Sequence, residues 1–198
     1  DGMTVDEMFT EAVDEMGAVV VQINHGGGNG RGAFFNTAGF DPVTGEVEHL
    51  DRWSELFNVM EIQNGKGGAD GQIPIYYGLL NHGRRMGITG VSDSHHRIPE
   101  AGFARTYVWL GDEEATPEAI AFAVRDGHAV VSAGPMIFFR MDDGAGGALR
   151  EGDTLALEAP GTVHLSIRVE APSWIPVETV TLLQEGVELE TIEVEDGA

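Results

Sequence analysis

The feature that most constrains the fold is a short β-prone run that ends abruptly in titratable side chains. Residues 88–91 are mostly apolar or β-branched and follow a glycine, which is typical of a buried strand. Asp93, His95 and His96 come directly after that run. In α/β proteins, ligand-binding and catalytic groups gather at the carboxyl ends of strands. This stretch therefore predicts an α/β fold with a functional edge.

Asp93 and His95 are two residues apart, so an extended backbone would point both side chains to the same side. A carboxylate oxygen and an imidazole nitrogen aimed at one point suit Zn²⁺, Mn²⁺ or Fe²⁺. Taken alone, the stretch favours the alternative of a polar turn in which Asp93 caps a helix. The weight of the metal hypothesis comes from the rest of the chain.

Two further apolar runs end in polar side chains in the same way. Residues 18–23 are followed by His25 and then by three glycines, which let the backbone turn tightly beside a ligand. For a lone histidine, a core or helix-capping role is the alternative. A third run, residues 57–62, contains Glu61 and is followed by Asn64. We expect Glu61 and Asn64 to line the same rim.

The pattern of the chain changes near Pro135. Before it, helical and strand patterns alternate, which favours parallel βα units. After it, short alternating runs separated by Gly, Pro, Asp and Glu predict an antiparallel β-sandwich. The sequence therefore predicts two domains, an α/β domain over 1–134 and a β-sandwich over 135–198. The second domain has no cluster of His and carboxylate, so we expect no catalysis there.

The charge of the chain limits its partners. There are 33 acidic and 11 basic residues, a net charge of −22, and the only lysine is Lys66. Such a surface repels nucleic acid and anionic membranes. It also fits a high-salt or extracytoplasmic environment. The chain has no cysteine, so any metal must rest on His, Asp and Glu. No run approaches the ~20 apolar residues of a membrane span.

Taken together, the motifs resemble the PHP (polymerase and histidinol phosphatase) superfamily, and in particular its branch of carbaryl-hydrolase-like metallohydrolases. The resemblance covers most of the chain in the same order. The matching segments are residues 23–25, 60–65, 79–95, 102–108 and 131–135, followed by the β-rich end.

The resemblance implies the C-terminal part of a distorted (β/α)7 barrel that holds up to three divalent ions (Zn, Mn or Fe). It implies that His25 is the metal ligand of the family's third motif. It implies that Asp93 and His95 are the ligands of the fourth. Glu61 and Asn64 match a recurrent Glu-Asn-Gly element, where rim or supporting positions are expected.

One departure from the family pattern is plain. The family's His-x-His and Asp-His motifs are absent, and so is the acidic bridging ligand that should precede His25. We expect them upstream of Asp1, in a missing half of the same protein. With His25, Asp93 and His95 alone, we expect weak metal binding and poor catalysis.

The function that the resemblance implies is hydrolysis of a small anionic ester, most simply a phosphoester, by metal-activated water. His96 would protonate the leaving group, and Arg105 or Arg31 would bind the anionic substrate. One alternative is a hydrolase of the same fold that cleaves a carbamate, an amide or a carboxylic ester. A second is a non-catalytic scaffold whose β-sandwich docks a partner or a glycan.

Overall fold

A computed structural model of the chain describes residues 2–27, 33–65, 71–95, 101–142, 147–157 and 161–194. Its α-helices are α1 (Val5–Thr10), α2 (Phe34–Ala38), α3 (Ile73–Asn81) and α4 (Pro117–Arg125). A π-helical turn continues α1 over Glu11–Glu15, and a 3₁₀ turn covers Leu50–Arg52. The strands are β1 (Gln22–Ile23), β2 (Val59–Asn64), β3 (Gly87–Val91), β4 (Arg105–Val108), β5 (Ala129–Ser132), β6 (Met136–Asp142), β7 (Ala148–Leu149), β8 (Leu165–Glu170), β9 (Thr179–Gln184) and β10 (Val187–Glu193).

The first three strands form a parallel sheet in the order β1-β2-β3. Gln22 pairs with Val59, and Val59 pairs with Gly87, so the three strands start in register. Their carboxyl ends therefore meet at one edge of the sheet. Of the predicted strand over residues 18–23, only Gln22–Ile23 are in strand β1, although the Val21 carbonyl also accepts from the Val59 amide at 3.3 Å. The predicted strand over 57–62 is displaced by two residues, since β2 covers Val59–Asn64.

The core of this sheet is aromatic. Phe35, Met60 and Leu79 are completely buried, and the rings of Phe34, Trp53 and Phe57 pack around Phe35. Each such aromatic pair adds about 0.5–1.5 kcal/mol beyond the area it buries. This cluster lies beneath the strands and anchors the loops that lead away from their ends.

Strands β4 and β5 form a separate antiparallel pair against β3. The hydroxyl of Thr106 accepts from the Gly90 amide at 3.0 Å and donates to the Gly90 carbonyl at 3.1 Å, which joins the two layers. The expectation of parallel βα units is wrong for this pair. Helix α4 between the strands returns the chain beside β4 instead of crossing over to a parallel position.

The β-rich end contains a three-stranded antiparallel sheet in the order β7-β6-β8 and the hairpin β9-β10. The alternating runs at residues 137–141, 163–169, 177–183 and 187–194 predict strands that lie close to β6, β8, β9 and β10. Residues 154–157 have a similar pattern but form no strand. Many side chains of β8 and β10 are exposed. In the described ranges the strands form four separate sheets and no closed barrel, so the (β/α)7 barrel and the β-sandwich stay predictions.

Short polar contacts attach the β-rich end to the α/β part. Arg85 donates to the Gly152 carbonyl at 2.7 Å, and the His128 ring lies 2.7 Å from the Glu151 carbonyl. Asn81 donates to the Glu185 carbonyl at 3.1 Å. Among the helices described, none is both long enough and apolar enough for a bilayer crossing.

Candidate metal centre

The edge where β1, β2 and β3 end brings together four side chains from three separate segments of the sequence. Glu61 lies in β2, His25 follows β1 by two residues, and Asp93 and His95 follow β3. The imidazole Nδ1 of His25 is 3.1 Å from Glu61 Oε1, and its Nε2 is 4.0 Å from Asp93 Oδ2. The Nε2 of His95 is 3.6 Å from the same Asp93 oxygen. Both imidazoles thus face one carboxylate.

Glu61 is almost completely buried, with a side-chain exposure of 1%. Its Oε1 also accepts a hydrogen bond from the backbone amide of His25 at 3.3 Å. Its Oε2 is buried without a hydrogen-bond partner in the described part of the chain. An unpartnered buried oxygen is costly, at about 1–3 kcal/mol, so a native structure keeps one where a function requires it.

The contact with Glu61 fixes the imidazole of His25. An ionised carboxylate only accepts hydrogen bonds, so the proton of the neutral ring must lie on Nδ1. Asn64 Nδ2 is placed 3.0 Å from the same nitrogen. Two donors cannot share this contact, so the Nδ1–H form requires the flipped orientation of the Asn64 amide, with Oδ1 toward the ring. The lone pair on Nε2 is left facing Asp93. A carboxylate behind a metal-binding histidine orients many known metal ligands in this way.

The distances around Asp93 are longer than hydrogen bonds. They are close to the separation of about 3.0–3.4 Å between two donor atoms that share one cation with bonds of 2.0–2.1 Å. As placed, no group of three His, Asp or Glu in the described ranges has the full geometry of a metal-binding set. The donor types and their convergence suit a divalent cation, while the spacing is a few tenths of an ångström too open.

The backbone is unusual at both strand ends. His25 has a φ of +51° and Asp93 a φ of +49°, in the left-handed region that non-glycine residues rarely adopt. Such conformations cost about 1–3 kcal/mol each and are concentrated at functional sites. Two of the three non-glycine residues with positive φ in the described ranges therefore lie at this edge.

The remaining predicted site residues either have no contact with these four side chains or lie outside the described residues. Arg105 lies exposed at the start of β4 and forms no ion pair with Asp93 among the residues described. No contact between Arg105 and the described strand-end residues supports a direct role of Arg105 in binding substrate. His96 and Arg31 lie outside the described residues.

One supporting residue could not be found from the sequence. Gln72, which is 8% exposed, accepts a hydrogen bond from the Gly27 amide at 2.8 Å and so holds the turn that follows His25. A glutamine beside a predicted helix carries no signal that links it to a loop 45 residues away.

Comparison with protein-family models, with curated proteins and with solved structures found no match for this chain.

Proposed function

We propose that this chain supplies metal ligands to a metal-dependent hydrolase of the PHP type, acting on phosphoesters. The observation that carries the proposal is the convergence of His25, Asp93 and His95 over the buried Glu61 at one sheet edge. The resemblance to the C-terminal part of the PHP barrel supports the same reading. In this proposal, a bridged metal cluster needs more ligands than these three side chains supply.

The residues have distinct roles in the proposed site. His25 Nε2, Asp93 Oδ2 and His95 Nε2 would hold Zn²⁺, Mn²⁺ or Fe²⁺, since nitrogen and carboxylate donors suit these ions. When bound, such an ion lowers the pKa of a water molecule and offsets negative charge on the substrate. Glu61 would hold the proton of the neutral His25 ring on Nδ1, which leaves the lone pair of Nε2 for the ion. Asn64 limits rotation of the same ring.

The proposal is tested with the full chain, joined where necessary to its upstream coding sequence. Hydrolysis of 4-nitrophenyl phosphate is measured with Mn²⁺ or Zn²⁺ in wild type, Asp93→Asn and Asp112→Asn. Asp112 is an exposed carboxylate in a turn, and it serves as the matched control. We expect Asp93→Asn to lower kcat/KM by about 10²-fold or more, since it removes a ligand charge, and Asp112→Asn to leave it within about twofold.

The same variants separate the alternatives. Cleavage of 4-nitrophenyl acetate or of a carbamate, with the phosphate ester untouched, would reassign the substrate to a carbonyl compound. Activity that is equal in wild type and Asp93→Asn would refute the site. An absence of Mn²⁺ or Zn²⁺ binding in calorimetry at neutral pH would refute the metal site and favour the non-catalytic scaffold.

A further inference from the structure

A second concave site lies away from the strand-end residues, between the β4-β5 pair and the sheet that contains β6 and β8. It encloses a cavity of about 230 Å³. Aromatic and arginine side chains dominate its wall, namely Tyr107, Trp109, Phe138, Arg140, Arg150 and Arg168. None of the four side chains that converge on the sheet edge contributes to it.

The cavity concentrates positive charge in a strongly acidic protein. The chain has only 11 basic residues against 33 acidic ones, yet three arginines line this one cavity. Arg168 is paired with Glu170, whereas Arg140 and Arg150 form no ion pair among the residues described. The carboxylate in the wall, Glu151, already accepts a hydrogen bond from the Phe139 amide at 3.1 Å.

Two of the guanidinium groups lie over aromatic rings. Arg150 Cζ is 3.7 Å from the centroid of a Trp109 ring, and Arg168 Cζ is 4.0 Å from the centroid of the Phe138 ring. Stacking occupies the face of a guanidinium and leaves its N–H groups at the edge available. Since Arg168 is paired with Glu170, the edge of Arg150 is the one that matches a carboxylate or a phosphate in two parallel hydrogen bonds.

The size of the cavity limits the ligand. Ligand sites commonly enclose about 300–1,000 Å³, so a cavity at or below the lower end suits a small molecule of about one ring. Half-exposed aromatic faces, Tyr107 at 36% and Trp109 at 46%, offer a planar surface to stack against. We propose that this cavity binds a small aromatic anion, a single ring that carries a carboxylate or a phosphate.

Trp109 provides a direct probe of binding. The chain has three tryptophans, of which Trp53 is buried and Trp174 is 80% exposed, so the three indole N–H signals in a ¹H–¹⁵N spectrum are separable reporters. We expect benzoate and phenyl phosphate to shift the Trp109 signal in a saturable way and to leave Trp53 unchanged. Inorganic phosphate lacks the ring, and benzyl alcohol lacks the charge. Each should therefore bind at least about tenfold more weakly than phenyl phosphate, since each can make only one of the two kinds of contact.

Substitution of the arginines tests the charge. Arg150→Gln and Arg140→Gln should each weaken phenyl phosphate binding by about tenfold or more, because a charge-assisted hydrogen bond is lost. Arg125→Gln is the matched control, since Arg125 also stacks on a ring, Phe122, at 4.6 Å but lies outside the cavity. Its binding should stay within about twofold of wild type, as expected for a distant charge in ordinary salt. Unchanged Trp53 and Trp174 signals verify the fold of each variant. If Arg150→Gln alters these signals, the loss of binding in Arg140→Gln tests the proposal instead.

Several results would overturn the proposal. One is the absence of any Trp109 shift with benzoate and phenyl phosphate at millimolar concentration. Another is inorganic phosphate binding as tightly as phenyl phosphate, which would make the cavity a plain anion site. Equal losses in Arg125→Gln and Arg150→Gln would indicate unspecific charge attraction. Tighter binding of an acetylated tetra-glutamate peptide would favour a protein partner instead.

Discussion

Among single residues, Glu61 links the fold most directly to the candidate site. It is the one ionisable residue in the described ranges that is almost completely buried, and its Oε1 contacts both the ring and the backbone amide of His25. A buried carboxylate with one oxygen unpartnered does not stabilise a fold by itself. Its value here is that it orients the imidazole.

Replacing Glu61 tests this orienting role without any metal. In Glu61→Gln the side chain keeps its size but loses the charge that favours the Nδ1–H form of His25. We expect the Nδ1–H tautomer to dominate in wild type and to lose population in the variant, as measured by long-range ¹H–¹⁵N NMR above about pH 8, where an ordinary imidazole is neutral. With Zn²⁺ added, we expect the affinity to fall by about 10–100-fold.

The matched control for this substitution is Glu48→Gln. Glu48 also lies beside a histidine, with Oε1 3.8 Å from His49 Nε2, but its side chain is 75% exposed. That variant should change neither the tautomer of His25 nor the Zn²⁺ affinity. A Glu61→Gln protein with the wild-type tautomer would contradict the assigned role.

Tyr76 gives a second prediction for a single residue. Burial raises the pKa of the Tyr76 phenol above its ordinary value of 10.0, neighbouring Tyr77 adds to the increase, and Arg85 opposes it. Because the folded state holds this proton more tightly than the unfolded state, the contribution to stability is complete below about pH 10 and is lost as the pH rises through the folded pKa. Tyr76→Phe removes this ionisable group.

We therefore expect the free energy of unfolding of wild type to fall more steeply above about pH 10 than that of Tyr76→Phe. Urea denaturation at about pH 8 and about pH 10.5 measures both proteins under the same conditions. Parallel losses in the two proteins would show that Tyr76 does not contribute to alkaline unfolding.

Among the elements, β3 is the one on which the others depend. It pairs with β2 on one side and contacts β4, β5 and α4 on the other. These close approaches require glycine at two of its five positions. A Cβ at Gly90 would lie 2.5 Å from the Val131 side chain, and one at Gly87 would lie 1.8 Å from the Val124 carbonyl oxygen. Helix α4 thus lies directly against the strand that carries Asp93.

Gly87→Ala tests this close approach. The obstructing atom belongs to the backbone, so α4 must move as a unit, and we expect a loss of about 1–3 kcal/mol or more in the free energy of unfolding. Gly2→Ala is the control, because a Cβ there meets nothing within 4 Å. Urea denaturation compares the two variants with wild type. A neutral effect of Gly87→Ala would mean that α4 does not pack on β3 this closely.

At the scale of the whole molecule, the net charge of −22 sets the solution behaviour. Like charges repel within the compact state, and mobile ions screen that repulsion over about 10 Å at 0.1 M salt and about 3 Å at 1 M. The few cations are not spread evenly, since three of the arginines line one cavity. The molecule therefore combines a repulsive acidic surface with locally basic recesses, of which this cavity is one.

This charge predicts a clear dependence on salt. Raising NaCl from about 0.02 M to about 1 M should increase the melting temperature by several degrees, because screening relieves repulsion that the unfolded chain experiences less. Differential scanning calorimetry at pH 7 measures the effect. Sucrose at matched osmolality separates screening from general solute exclusion. A melting temperature that stays constant or falls with NaCl would contradict the prediction.

Much of the local structure was predictable because its signals lie within a few residues. The capping box of Thr4 and Glu7 predicts the start of α1, and Thr116 followed by Pro117 predicts the start of α4. Alternation of apolar and polar residues locates four strands of the β-rich end. The placement of Asp93 and His95 after a buried strand was also visible, since β3 ends at Val91.

The sequence by itself determined which residue types follow each strand, and therefore which chemistry the sheet edge can offer. Only the tertiary structure decided that Glu61 lies beneath His25, that Gln72 holds the next turn, and that β4 and β5 run antiparallel. The physical reason is that these features depend on partners 21 to 45 residues away. Register, crossover direction and close backbone approach select such partners, and a local pattern of side chains encodes none of the three.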